Sequence, residues 1–175
     1  PVQFKDPSLT SRIVAALARS GLSARRLELE ITETTMLQDS EATLSAMHQL
    51  QTLGVRMSLD DFGTGYSSLS YLRILPVSTI KLDKSFLHGV PDSADARAVT
   101  RFVIQLARDL HLNVIAEGVE REEQAQFLIE QGCHVFQGHL YAKPMDAATA
   151  TAWLLDHAEA GEGAPQPVAA APPKA

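Results

Sequence analysis

Residues 58 to 71 read SLDDFGTGYSSLSY, which sets Asp60 and Asp61 side by side where an apolar run stops. Two adjacent carboxylates raise each other's pKa and destabilise the strand end that carries them unless a cation lies between them. The same dipeptide ahead of a glycine turn also serves as turn or cap chemistry, its oxygens accepting backbone N–H groups. Alone it does not choose between the two. Other groups weigh on the choice: Glu30 in LELEIT, Lys81 in STIKLD, Glu117 in NVIAE and Gln137 in HVFQG. Each by itself is an ordinary solvated residue at the end of an apolar segment. On neighbouring strands they would converge as functional polar groups do. Carboxylates facing one another, as Glu30, Asp60 and Glu117 then would, need cations, and oxygen ligands select hard divalent ions, Mg2+ or Mn2+, over zinc or copper.

The segments that must position these groups alternate between two periods. The spacing predicts helices over residues 8–19, stopped by Gly21, and 40–53, stopped by Gly54. It predicts others in SSLSYLRIL up to Pro76, in SADARAVTRFVIQLARDLH with Ser93 as cap, in REEQAQFLIEQG and in DAATATAWLLDH. Between them LELEIT, VRMSLD, STIKLD, NVIAE and HVFQG alternate as strands do. Strands separated by helices form a parallel sheet with the helices packed outside it.

Parity separates a flat sheet from a barrel. Leu29 and Ile31 oppose Glu28 and Glu30; Met57 and Leu59 oppose Arg56, Ser58 and Asp60; Ile80 and Leu82 oppose Thr79 and Lys81; Val114 and Ala116 oppose Asn113, Ile115 and Glu117; Phe136 opposes Val135 and Gln137. A doubly wound sheet, covered on both faces, would show near-continuous apolar strands. One apolar side and one polar side instead fit a (β/α) barrel with functional groups at its C-terminal mouth, where active sites of that fold lie.

Composition bounds the rest. The 175 residues are 45% apolar and 21% charged, as in a globular domain, and the net charge of −6 gives no field for polymeric nucleic acid or an acidic membrane surface. The single cysteine, Cys133, excludes an intrachain disulfide framework and suits a reducing compartment, where a small buried thiol is its ordinary role. No apolar run reaches the roughly 18 residues of a membrane span, and PVQFKDPSLT carries no signal-peptide pattern, so the expected location is cytoplasmic. From residue 161 the sequence GEGAPQPVAAAPPKA reads as a disordered Pro/Ala-rich tail, residues 161–175. A chain opening at Pro1 without methionine is expected to be a piece of something longer, such as the cytoplasmic part of a membrane-anchored sensor.

The runs LELEITET, SLDDFGTGYSSL, STIKLDKSF, VIAEGVE and QGHLYAKPM, in this order and at these separations, resemble the EAL domain family of cyclic-di-GMP phosphodiesterases over residues 1–157. The resemblance implies a modified (β/α)8 TIM-type barrel that hydrolyses cyclic-di-GMP to linear pGpG with Mg2+ or Mn2+ at a two-metal site. It implies Glu30, Asp60, Asp61 and Glu117 as metal ligands. It implies catalytic roles for Lys81, Glu117 and Gln137 in holding the attacking water and the phosphate. Glu33 would anchor the DFGTGYSS loop, Glu120 would support the site, and the loop after Asp61 would serve a homodimer. The Glu-Ala-Leu run and an asparagine ligand, which stand on the family's earlier strands, have no counterpart here, and His139 stands where many members have an aromatic residue. A barrel of this kind takes about 250 residues, so the chain is expected to be an incomplete C-terminal portion with about five parallel strands, inactive alone. The alternative is a truncated or degenerate module that binds cyclic-di-GMP or a partner protein without catalysis. A lyase or racemase barrel of the enolase kind also sets carboxylates and a lysine at strand ends, but the DDFGTGYSSL loop counts against it.

Overall fold

The computed structural model describes residues 3, 6, 8–32, 41–63 and 72–158. Glu33, the loop residues 64–71 with most of the SSLSYLRIL segment, and the tail lie outside the described residues.

The strands are β1 (Glu28–Thr32), β2 (Arg56–Phe62), β3 (Thr79–Leu82), β4 (Asn113–Glu117) and β5 (Val135–Gln137). They form one sheet in chain order, every neighbouring pair parallel. Chain order is what a barrel shows, since each strand is laid down beside the last. A doubly wound sheet would reverse direction at a switch point. The helices are α1 (Leu9–Ser20), α2 (Glu41–Thr52), α3 (Ala94–Asp109), α4 (Glu122–Glu130) and α5 (Ala147–Ala158). Two 3-10 turns, Ala24–Arg26 and Lys84–Leu87, have no counterpart in the sequence expectations.

The predicted helices that lie among the described residues begin and end near their signals. The Ser93 hydroxyl accepts from the Ala96 N–H at 3.3 Å, so α3 starts where the cap says. Gly21, at φ 66°, donates its N–H to the Leu17 carbonyl and closes α1. At α4 the cap comes from an unexpected residue. Gln124 Oε1 accepts from the N–H groups of both Glu120 and Arg121 at 3.0 Å, while its Nε2 donates to the Leu87 carbonyl at 3.2 Å.

The core follows the strand parity. Met57, Leu59, Ile80, Leu82 and Ala116 are buried together with Met47 of α2, Val103, Ile104 and Ala107 of α3, and Leu128 of α4. Cys133 is buried in the same core, as the lone-thiol expectation has it. The central helices therefore seal the central strands. The ends of the sheet differ: among the described residues β1 and β5 each have one neighbour. The helix at one end, α1, has no buried residue, and Leu154 and Leu155 of α5 are 62% and 65% exposed. No described helix is long and apolar enough to cross a membrane.

Candidate active site

Lys81 is the centre of the polar side of the sheet. Its Nζ lies 2.7 Å from Glu117 Oε1, 2.8 Å from Glu30 Oε1 and 3.0 Å from Asp60 Oδ1, and the residue is 6% exposed. Burial alone would push the ammonium's pKa down. The close carboxylates of Glu117, Glu30 and Asp60 outweigh it, and the pKa stands above its ordinary value. Four residues singled out by parity on four strands thus meet at one nitrogen.

Their meeting depends on the stagger of the strands. Glu30 pairs with Ser58, Ser58 with Thr79 and Thr79 with Asn113. Measured from that line, Asp60 and Lys81 are each two residues further on, Glu117 is four further on, and Gln137 pairs with Glu117. Four residues over four strand steps is one residue per strand. A (β/α)8 barrel advances its register by about that amount on going round, so these groups share one height along its axis.

Asp61 reaches the same place by a different device. In a regular strand it would face away from Asp60, among the core residues. Instead the β2–β3 register shifts: Leu59 pairs with Ile80, but Phe62 pairs with Leu82, so Asp60 and Asp61 together stand opposite Lys81. This is a β-bulge, and Asp61 carries it at φ 53°, in the left-handed region that aspartate tolerates better than most residues. Phe62 then returns to the buried face. With the bulge in place, carboxylate oxygens of Asp60, Asp61 and Glu117 lie within 4.8 Å of one another.

These residues fit a divalent cation. The donors are all carboxylate oxygens, which suit a hard ion. Asp60 Oδ1 is buried and, although close to Lys81 Nζ, has no aligned hydrogen-bond donor among the described residues. Glu30 is further out: its side chain is 57% exposed, against 21% for Asp60 and 19% for Glu117, and it is not in the Asp60, Asp61 and Glu117 cluster.

Gln137 and Glu120 stand beside this centre. Both line a cavity of about 590 Å3 whose walls include Lys84, His139, Lys143 and Trp153. The Gln137 carbonyl accepts from the Val119 N–H at 3.1 Å, tying the ends of β4 and β5 together. Ser58, buried in the polar face beneath Lys81, was not among the expected site residues, and its Oγ has no hydrogen-bond partner among the described residues. Its place on the Glu30–Thr79 line is the signal parity offered for it.

A family model described as EAL domain matches residues 1–144. MucR of Pseudomonas aeruginosa, described as a bifunctional diguanylate cyclase/cyclic di-GMP phosphodiesterase, is 42% identical over 146 residues, which are 83% of this chain and 21% of that protein. A solved structure of PaMucR phosphodiesterase in complex with c-di-GMP matches with a TM-score of 0.79 at 42% identity, over 85% of this chain and 60% of that one. BlrP1 of Klebsiella pneumoniae, solved with manganese and cy-diGMP, matches with a TM-score of 0.75 at 30% identity, over 81% of this chain and 36% of that one. The chain spans about a fifth of the length of the curated relatives it matches.

Proposed function

Because the chain belongs to the EAL domain family, we propose that the cluster around Lys81 is the metal- and phosphate-binding centre of a cyclic-di-GMP phosphodiesterase acting in the cytoplasm. The observation that carries this is the bulge: it turns Asp60 and Asp61 to one side and brings them together with Glu117 beside a buried lysine.

Asp60, Asp61 and Glu117 would hold Mg2+ or Mn2+, with Glu30 completing the set. When bound, such ions supply Lewis acidity toward water and toward a phosphoryl oxygen. The chain's own residues do the rest. Lys81, kept protonated by its carboxylate neighbours, would turn N–H groups from those carboxylates, once they hold a metal, to the attacking water and to a phosphate oxygen. Gln137, paired with Glu117 across β4 and β5, orients that water with its amide. Burial of Lys81, Ser58 and Thr79 keeps bulk water from beneath the site. In the reaction one P–O bond of the cyclic dinucleotide breaks. The hydroxyl of water ends on phosphorus and its proton on the released ribose oxygen, giving linear pGpG. Glu33 would anchor the loop that follows Asp61, Glu120 would support the cavity wall, and that loop would join two copies of the domain.

The test incubates the intact polypeptide with cyclic-di-GMP and separates the products by chromatography. Linear dinucleotide should form with Mg2+ or Mn2+ and stop on chelation. Undiminished hydrolysis in excess EDTA would overturn the metal assignment. The second reading, nucleotide binding without turnover, is favoured for residues 1–175 alone by the exposed Glu30 and the open edge of β1. Saturable binding without product, by residues 1–175 with metal present, would establish it.

A further inference from the structure

The 3-10 turn after β3, Lys84–Leu87, touches the strand ends on both of its sides. The Phe86 ring occupies the space in which a side chain on Gly63 would stand. The Lys84 Cβ lies 2.5 Å from where a Cβ on Gly118 would be. Both glycines hold positive φ, 88° and 67°, so neither position accepts a side chain on grounds of space or of backbone. Gly63 follows Asp61 by two residues, and Gly118 follows Glu117 directly. The segments leaving β2 and β4, each just past a ligand carboxylate, therefore rest on one turn between them.

That turn is held from behind. Asp83 Oδ1 accepts from the Ser85 N–H at 2.9 Å. The fully buried Thr100 of α3 donates its hydroxyl to the Phe86 carbonyl at 2.8 Å. Gln124 of α4 donates to the Leu87 carbonyl. A turn tied to two helices keeps its place while the loops beside it are pressed against it.

We infer that this turn is a positioning element of the metal centre, with Phe86 the residue that keeps the bulge at Asp61. Left-handed backbone is unfavourable at a residue other than glycine, and Asp61 is held there at φ 53°. Relaxation to extended strand would carry the Asp61 carboxylate to the opposite face and move Gly63 with it. The ring on Gly63 blocks that movement. Lys84 on Gly118 plays the matching part for Glu117.

The inference rests on Asp60, Asp61 and Glu117 being metal ligands, and its test reads Mn2+ binding, by the electron paramagnetic resonance of free Mn2+, in the intact polypeptide. Phe86→Ala removes the ring. Phe86→Tyr keeps the fold but adds an oxygen at the ring atom nearest Gly63. Each should weaken Mn2+ binding about tenfold, as loss of a partner that orients ligands does, with a cooperative melt retained. Phe102→Ala, on the exposed side of α3, should leave affinity unchanged. Should Phe86→Ala unfold, Phe86→Tyr decides. Phe86→Tyr binding Mn2+ within about twofold of the unaltered protein, or weakening only in proportion to its unfolded fraction, overturns the inference. If instead Asp60→Asn and the unaltered protein bind Mn2+ alike, it is the metal centre itself that is misassigned.

Discussion

At Asp61 one backbone angle decides which side of the sheet a carboxylate serves. Extended, it would lie among core residues; at φ 53° it joins Asp60 and Glu117. Asparagine visits the same backbone region, so Asp61→Asn and Asp60→Asn should remove charge and leave the bulge. Steady-state assays should show turnover falling by about a hundredfold or more, and calorimetry a melt close to that of the unaltered protein. Lys81 has the opposite role, since without it Glu30, Asp60 and Glu117 face one another uncompensated. In metal-free protein Lys81→Met should lose about 2 kcal/mol in urea unfolding, less than for a fully buried pair because Glu30 is well exposed. Added Mn2+ should recover part of that loss. Cys133 gives a pH prediction. Burial pushes its thiol from 9.0 up to about 11. A group raised in the folded state contributes stability that is full below the unfolded value and is lost as pH climbs through the folded one, so this contribution fades between 9.0 and about 11. At pH 8 the native thiol should react with a disulfide reagent roughly a hundredfold more slowly than in denaturant.

At the scale of elements, alternation carried most of the information. Glu30, Asp60, Lys81 and Glu117 were legible because β1 to β4 run without a bulge up to those residues and place them on the polar side, and the register then supplies the stagger that brings them together. Parity fails at Asp61, because an inserted residue reverses every side chain after it and nothing in DDF marks the insertion. The paired carboxylates raise a cation site there, but only the family resemblance makes Asp61 a ligand. The turn Lys84–Leu87 was not legible, since four residues are too few for any period to show. Gly138 was equally silent: a Cβ there would run into the backbone of Val119, whose N–H and carbonyl bond Gln137 and Leu140. Gly138→Ala should therefore cost about 2 kcal/mol or more in chemical denaturation, because backbone on both sides has nowhere to yield. Gly21→Ala meets open space and suffers only from φ 66°, so it should cost about 1 kcal/mol.

At the scale of the molecule, the expected partial barrel is present among the described residues as five strands in chain order, with β1 and β5 each paired on one side. Apolar residues on α1 and α5 stay uncovered, Val14 and Leu155 among them. Open edges and uncovered apolar surface favour association or loose packing. Residues 1–175 alone should melt over a broad range and sediment as mixed species, whereas a polypeptide long enough to close the barrel should melt cooperatively. The function proposed for the site requires that the paired aspartates and Glu117 share an ion. X-ray data collected at the manganese absorption edge from crystals of the intact polypeptide grown with Mn2+ test this directly. The predicted result is an anomalous peak within coordination distance of Asp60, Asp61 and Glu117, beside the Lys81 ammonium. Absence of a peak there at saturating Mn2+, with Lys81 still joined to Glu30, Asp60 and Glu117, would contradict it.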